Sequence, residues 1–300
     1  MPARRVLLAI NPRARRGPAA ADALRAALVA RGHVVVDVPL DRPDALAQAV
    51  RARREEVDVA VVGGGDGTLL HALPPLIEAG LPVAIVPLGT FNELARTLGV
   101  PSDPEQVAAL VDEGVALPLD VGRVGETYYL NEASVGLSTR VAELQTAPLK
   151  RALGLLAIPV ATARALRWWR PMQLEIEDDR GHRRTVRVVQ LTIANSYRFG
   201  GVVENPEASL EDGQLWLYAL DVRGWWDALR IVLAVALRRF QHAPRVETLR
   251  GTRFTVRSVH GHRHRVYADS EQVARLPAEF RVVPRALTVL VPPDRVATIR

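Results

Sequence analysis

The chain has 300 residues, 48% hydrophobic and 24% charged, which excludes a disordered chain or a staple-dependent mini-protein and fits one large or two linked domains. It has no cysteine, so disulfides, thiolate metal sites, iron–sulfur clusters and a cysteine nucleophile are excluded, and a cytoplasmic setting is expected. The net charge of +6 is carried on the basic side almost wholly by arginine, Lys150 being the only lysine, and it attracts phosphate-bearing surfaces without choosing among them.

The N-terminus sets arginines on both sides of a short apolar run, without the apolar core and small-residue cleavage site of a signal peptide, and reads as a first strand, Val6 to Ile10. A helix around Pro18 to Arg31 follows, then strand Val34 to Val38, a helix around Pro43 to Arg54, strand Val57 to Val62, a helix from Thr68 and strand Val83 to Val86. That alternation predicts a parallel sheet covered by helices on both faces. The longest stretch free of Asp, Glu, Lys and Arg, Ala79 to Asn92, carries Pro82 and Pro87 and falls short of the roughly 18–20 residues of a membrane span. After about Pro118 come short β-prone pieces: Glu126 to Asn131, Met172 to Ile176, Thr185 to Ala194, Gln214 to Asp221, Thr252 to Ser258, His264 to Ala268 and Arg285 to Val291. They predict an antiparallel β domain, interrupted by two helical stretches, Pro148 to Arg170 and Trp225 to Arg239.

The strongest chemical signal is Gly63-Gly64-Gly65-Asp66-Gly67-Thr68, a turn between a buried-looking strand and a helix. Glycines let the backbone approach a phosphate, and a helix N-terminus offers amides to an anion. Asp66 beside phosphates implies an intervening Mg²⁺ ion or donor hydroxyl. The plainer alternative is a tight turn capped by Asp66 or Thr68. The second signal, Pro87-Leu88-Gly89-Thr90-Phe91-Asn92-Glu93, follows the next strand, where open α/β sheets bind ligands. Thr90 and Asn92 can bond a nucleotide or phosphate there; alternatively Thr90 is a helix N-cap with Glu93 as its capping-box partner.

These two segments together resemble the catalytic domain of the diacylglycerol kinase family, bacterial lipid kinases related to sphingosine kinases. Asn11-Pro12, Tyr128 to Val141, Glu211 to Leu220 and Ala268-Asp269-Ser270-Glu271 resemble further motifs of that family in the same order. The resemblance implies an α/β, Rossmann-like ATP-binding domain over residues 1–122, completed by 292–300, and a β-rich, sandwich-like lipid domain over 123–291, with ATP and lipid meeting between them. It implies that Gly64, Gly65, Asp66, Gly67 and Thr68 form the ATP phosphate and Mg²⁺ site with Asn11 and Thr90 nearby, that Asn92 and Glu93 contact substrate, and that Glu271 touches nucleotide or metal. It implies Asp269 as general base and Asp212 as a ligand of a structural Mg²⁺; an ordinary hairpin turn is the other reading of Asp212-Gly213. Three positions depart from the pattern: Ser270 replaces a glycine, Phe91 gives a G-T-F-N form, and Pro39-Leu40 offers no hydroxyl where relatives carry a threonine.

The two tryptophan-bearing stretches, with Trp168, Trp169, Trp225 and Trp226, fit either a membrane surface or the core of the β domain. His260, His262 and His264 alternate along a strand, as metal ligands do or as a solvated His- and Arg-rich hairpin does. The expected activity is ATP- and Mg²⁺-dependent phosphorylation of a lipid hydroxyl at a membrane surface by a cytoplasmic, peripherally attached enzyme. An NAD kinase-like enzyme with a soluble substrate and a catalytically silent lipid-binding module are the alternatives. Dispersed arginines argue against nucleic acid. The acceptor lipid and the oligomeric state, a homodimer among the options, stay open.

Overall fold

The computed structural model describes residues 2–295 except 15, 43, 91, 138–143, 145–170, 200–202, 225, 228–229, 232–233, 235–236, 238, 241–242, 244 and 270. The expected helix Pro148 to Arg170, with Trp168 and Trp169, lies outside the described residues, as do Trp225, Phe91 and Ser270. The chain forms two compact units: residues 1–121, 210–212 and 283–300, and residues 122–209 and 213–282.

In the first unit the chain runs β1 (Arg5–Ile10), α1 (Gly17–Ala30), β2 (Val34–Asp37), α2 (Ala45–Arg53), β3 (Val59–Gly64), α3 (Asp66–Ala79), β4 (Val83–Pro87), α4 (Glu93–Thr97), α5 (Pro104–Glu113) and into β5 (Val115–Val124). The four strands β2-β1-β3-β4 pair in parallel. Every residue of β3 is buried, the mark of a strand covered on both faces. Val6, Leu8, Ile10, Val59, Val61, Ala84 and Val86 face α1 and α5, where Leu24, Leu28, Val107 and Val111 close the core. The register sets Ile10 beside Gly63, and Gly64 beside Pro87, so the carboxyl ends of β1, β3 and β4 are level. That alignment brings the segments after these three strands to one edge of the sheet.

The second unit holds β6 (Thr127–Tyr129), β7 (Glu132–Gly136), β8 (Met172–Asp178), β9 (Arg183–Val188), β10 (Gln190–Ala194), β11 (Arg198–Phe199), β12 (Val203–Glu204), β13 (Leu215–Leu220), β14 (Val246–Gly251), β15 (Arg253–Ser258), β16 (Arg265–Ala268), β17 (Glu271–Arg275) and the start of β18 (Ala278–Val291). One antiparallel sheet runs β14-β13-β10-β7-β16-β17; β9, β8, β15 and the first part of β18 form the other layer. Leu174, Ile176, Phe254, Val256 and Phe280 from this layer pack against Ala133, Val135, Leu191, Ile193, Leu215 and Leu217, a sandwich core. The expected single strand Thr185 to Ala194 is two strands in different sheets. The chain changes sheets at Val189, whose N–H donates to the Leu220 carbonyl at 2.7 Å and whose carbonyl accepts from Leu137 at 3.0 Å. Apolar residues continue through the corner because both strands bury one face, so composition alone does not show it.

Around the second tryptophan-bearing stretch, Ile231 and Phe240 are buried with Trp216 and Tyr218, whereas Trp226 is 59% exposed. Among the described residues no helix is long and apolar enough to cross a membrane. The sandwich core predicts that Phe254→Ala, at a fully buried site, lowers unfolding free energy by about 3–5 kcal/mol in denaturant titration.

Candidate functional site

The glycine turn closes β3 and opens α3. Gly65 is the N-cap in extended backbone, and the Thr68 N–H donates to its carbonyl at 3.0 Å. The first-turn amides of a helix have no intrahelical acceptor and face along the axis, so the N-terminus of this 14-residue helix presents donors and a positive partial charge at the sheet edge. Small residues are needed for packing here. A Cβ on Gly64 would lie 2.3 Å from the Thr68 hydroxyl, and one on Gly89 would lie 2.5 Å from the Gly65 Cα.

Neither Asp66 nor Thr68 caps the helix through its side chain, which corrects that plainer reading. Asp66 reaches across to the segment after β4: its Oδ2 accepts from the Asn92 N–H at 3.0 Å and its Oδ1 from the Glu93 N–H at 2.8 Å. Thr68 accepts at its hydroxyl from Asn11 Nδ2 at 3.0 Å, tying β1 to the same turn. The Asn11 N–H donates to the Gly63 carbonyl and its Oδ1 accepts from the Arg13 N–H. Asn11, Gly64, Gly65, Asp66, Gly67 and Thr68 therefore form one cluster, with Gly89 and Asn92 on its other side.

The segment 88–92 has its own framework. The Leu88 N–H donates to the Gly64 carbonyl at 2.9 Å; Asn92 Oδ1 accepts from the Gly89 N–H and its Nδ2 donates to the Gly89 carbonyl. Asn92 has φ 48° and is the N-cap of α4, so Thr90 does not hold that place. An asparagine tolerates the left-handed conformation because its short side chain bonds locally. Thr90 is exposed at the mouth of this arrangement. Glu93, the first residue of α4, is joined to the cluster through its main-chain N–H.

In the second unit Asp269 follows β16, whose last residue, Ala268, pairs with Glu271, the first of β17. Its φ of 44° is left-handed backbone, which an aspartate tolerates through its short polar side chain. The carboxylate grips the strand entry opposite: Oδ2 accepts from the Leu130 N–H at 2.6 Å, and Oδ1 from the Asn131 and Glu132 N–H groups at 3.0 and 3.1 Å. The Asp269 N–H donates back to the Glu132 carbonyl at 2.9 Å. Burial raises the Asp269 pKa above the usual aspartate value, against the opposing pull of those amides. Beside it lies Tyr129, fully buried, its hydroxyl without a hydrogen-bond partner among the described residues. Burial, and then the Asp269 charge, push that phenol well above its ordinary pKa and keep it neutral. Sequence reasoning did not single out Tyr129 or the 130–132 amides as partners of Asp269, because a partner more than 130 residues away leaves no local pattern.

Glu271 is half-buried at the first position of β17. Asp212 belongs to the first unit, where the Leu210 carbonyl accepts from the Asp120 N–H at 2.7 Å. Asp212-Gly213 leads into β13, whose neighbours are β10 and β14, so it does not join two paired strands and is not a hairpin turn. Among the described residues no three His, Asp or Glu side chains converge to hold a metal ion, and this includes the group at His260, His262 and His264.

Two family models match the chain in tandem: the diacylglycerol kinase catalytic domain over residues 5–124 and the YegS C-terminal NAD kinase beta sandwich-like domain over residues 131–291. A diacylglycerol kinase of Bacillus subtilis (strain 168) is 30% identical over 258 residues, spanning 84% of each chain. A diacylglycerol kinase of Staphylococcus aureus (strain bovine RF122 / ET3-1) is 27% identical over 84% of this chain and 80% of its own. A crystal structure from Bacillus anthracis str. Sterne superposes with a TM-score of 0.81 at 22% identity, covering 98% of this chain and 97% of that one, a likeness of fold. With the glycine turn, the carboxylate-tied segment after β4 and the β-sandwich all in the family's order, the chain belongs to the diacylglycerol kinase catalytic-domain family.

Proposed function

We propose that the protein transfers the γ-phosphoryl group of ATP to a hydroxyl of diacylglycerol or a related amphiphile, with Mg²⁺. The observation that carries this reading is the glycine turn at the N-terminus of α3, pinned by Asp66 to the segment 88–92. Main-chain amides of Gly65, Asp66 and Gly67 bind phosphate oxygens, the helix dipole favours their charge, and Asn11, Thr68 and Thr90 supply polar edges. Asn92 and Glu93 border the same site on the substrate side. Asp66 suits Mg²⁺ because each oxygen spends one lone pair on an amide and keeps another for a hard cation; the ion, when bound with the nucleotide, neutralises charge on the transferring group. Asp212 and backbone carbonyls beside it are the proposed holders of a second, structural ion, and Glu271 lies at the turn that carries Asp269.

Asp269 is the proposed base. Its carboxylate accepts three main-chain amides and is hydrogen-bonded also by the Asn131 side chain, a set of donors that fixes its orientation. As the acceptor oxygen bonds to the γ-phosphorus and the bond to the β–γ bridging oxygen breaks, the hydroxyl proton passes to the Asp269 carboxylate and ADP leaves. A base protonated below a raised pKa stops accepting there. The acid limb of kcat/KM is therefore expected above the usual aspartate value of about 3.9, with the rate falling as pH falls through it. A limb at or below that value contradicts the assignment. The same raised pKa means that the folded state holds this proton more tightly than the unfolded chain, a contribution to stability that is lost as pH rises through the folded value.

The reading is tested by labelled ATP with Mg²⁺ and mixed micelles of diacylglycerol, ceramide, sphingosine or monoacylglycerol, with NAD in parallel. A labelled lipid is expected; label in NADP alone, or in nothing, rejects it. Asp66→Ala frees the Asn92 and Glu93 amides and displaces the segment, which predicts a loss of transfer on the order of a hundredfold or more and faster hydrogen exchange at those two amides. Wild-type turnover in a folded Asp66→Ala variant removes Asp66 from the site.

A further inference from the structure

The turn between β15 and β16 carries a concentration of positive charge that the kinase reading does not use. Residues 248–268 contain no Asp or Glu but hold Arg250, Arg253, Arg257, Arg263 and Arg265 together with His260, His262 and His264. The three imidazoles stand in a row, with ring centroids 6.3 Å apart for His260 and His262 and 5.8 Å for His262 and His264. His260, His262, Arg263 and Arg265 are exposed. Val259, at the same tip, is 47% exposed, an apolar side chain set among cations.

Neighbouring strands offset part of this charge: Glu279 of β18 stands in register with Thr255, and Arg250 and Arg265 have contacts of their own. On β8, Glu175 and Glu177 lie 3.4 and 3.6 Å from Arg257, and Glu177 also pairs with Arg183. On β17 the facing residue is another cation: Arg275 pairs in register with Arg265 and donates its guanidinium to the Arg263 carbonyl at 3.3 Å. The Arg263 guanidinium has no carboxylate partner among the described residues. Behind the tip is a cavity of about 400 Å³ lined by Thr255, Arg257, Ser258, Gly261, His262 and Pro277, whose hydroxyls, guanidinium and imidazole suit a phosphate-bearing headgroup.

We infer that this His- and Arg-rich tip docks the second unit onto an anionic lipid bilayer, with Val259 entering the headgroup region and a lipid phosphate lodged at the cavity between Arg257 and His262. A bilayer fits better than a small anion alone, because the cations spread along the tip and an exposed apolar residue stands among them, whereas one phosphate needs neither. Burial and the neighbouring His262 hold the His264 pKa below the ordinary histidine value.

The test is co-sedimentation of the full chain, without nucleotide, on vesicles of phosphatidylcholine alone or with phosphatidylglycerol. Binding is expected only with phosphatidylglycerol and to weaken with salt. Arg263→Glu should reduce it on the order of tenfold or more, a reversal of one exposed charge counting twice, and leave turnover on micelles unchanged. Thermal melts establish that each variant is folded, and Arg263→Gln, with an intermediate loss, serves if the reversed charge does not fold. Equal binding to neutral vesicles, or binding indifferent to Arg263→Glu, overturns the inference by moving attachment elsewhere on the chain. Displacement by millimolar inorganic phosphate would make the tip a site for a free anion, and tighter binding of a duplex oligonucleotide would make it a nucleic-acid surface; either rejects the bilayer. Because the readout uses no nucleotide, it is independent of whether transfer is observed.

Discussion

A carboxylate that accepts main-chain N–H groups from a distant segment is the constraint on which the local structure of each unit depends at its candidate site residues. In the first unit Asp66 holds the amides of Asn92 and Glu93; in the second Asp269 holds those of Leu130, Asn131 and Glu132. An amide left without an acceptor in a partly buried loop costs about 1–3 kcal/mol, so each acid fixes the path of a segment that has little regular structure of its own. The residues that the kinase reading assigns to chemistry thus have a prior structural role. Removing either is expected to move backbone as well as charge, which is why folding and turnover have to be read together.

Glycine and left-handed backbone complete these two anchors in different ways. In the first unit the gain is proximity: Gly65 and Gly89 let two segments touch backbone to backbone, and Gly64 leaves room for the Thr68 side chain that Asn11 binds. In the second it is direction. Asp269 takes the left-handed conformation itself, and its carboxylate holds the 130–132 amides.

Local patterns in the sequence were enough for the parallel sheet, because β1, β3 and β4 are short buried apolar runs separated by helix-length segments, and for the glycine turn, because its composition has few other uses. What they did not reveal is long-range or cooperative. Helix α3 runs through Pro74 and Pro75, two residues that discourage a helix interior; packing of its flanking leucines outweighs them. The N-cap of α4 falls on Asn92, not Thr90, because Asp66, on another element, takes the first amides of that helix. The corner at Val189 is set by partners in β7 and β13 that no neighbouring residue announces. The roles of Asp66 and Asp269 as anchors belong to the same class, since each bond spans from 26 to 139 residues.

On the proposed reading the Asp66-tied pair of segments binds nucleotide phosphates. Amide hydrogen exchange of the intact chain, with and without Mg²⁺ and ATP, is the sharpest test of it. Slowed exchange is expected at Gly64 to Thr68 and Gly89 to Glu93, where amides acquire phosphate partners. Unchanged exchange there, with protection appearing on another part of the chain, would contradict it.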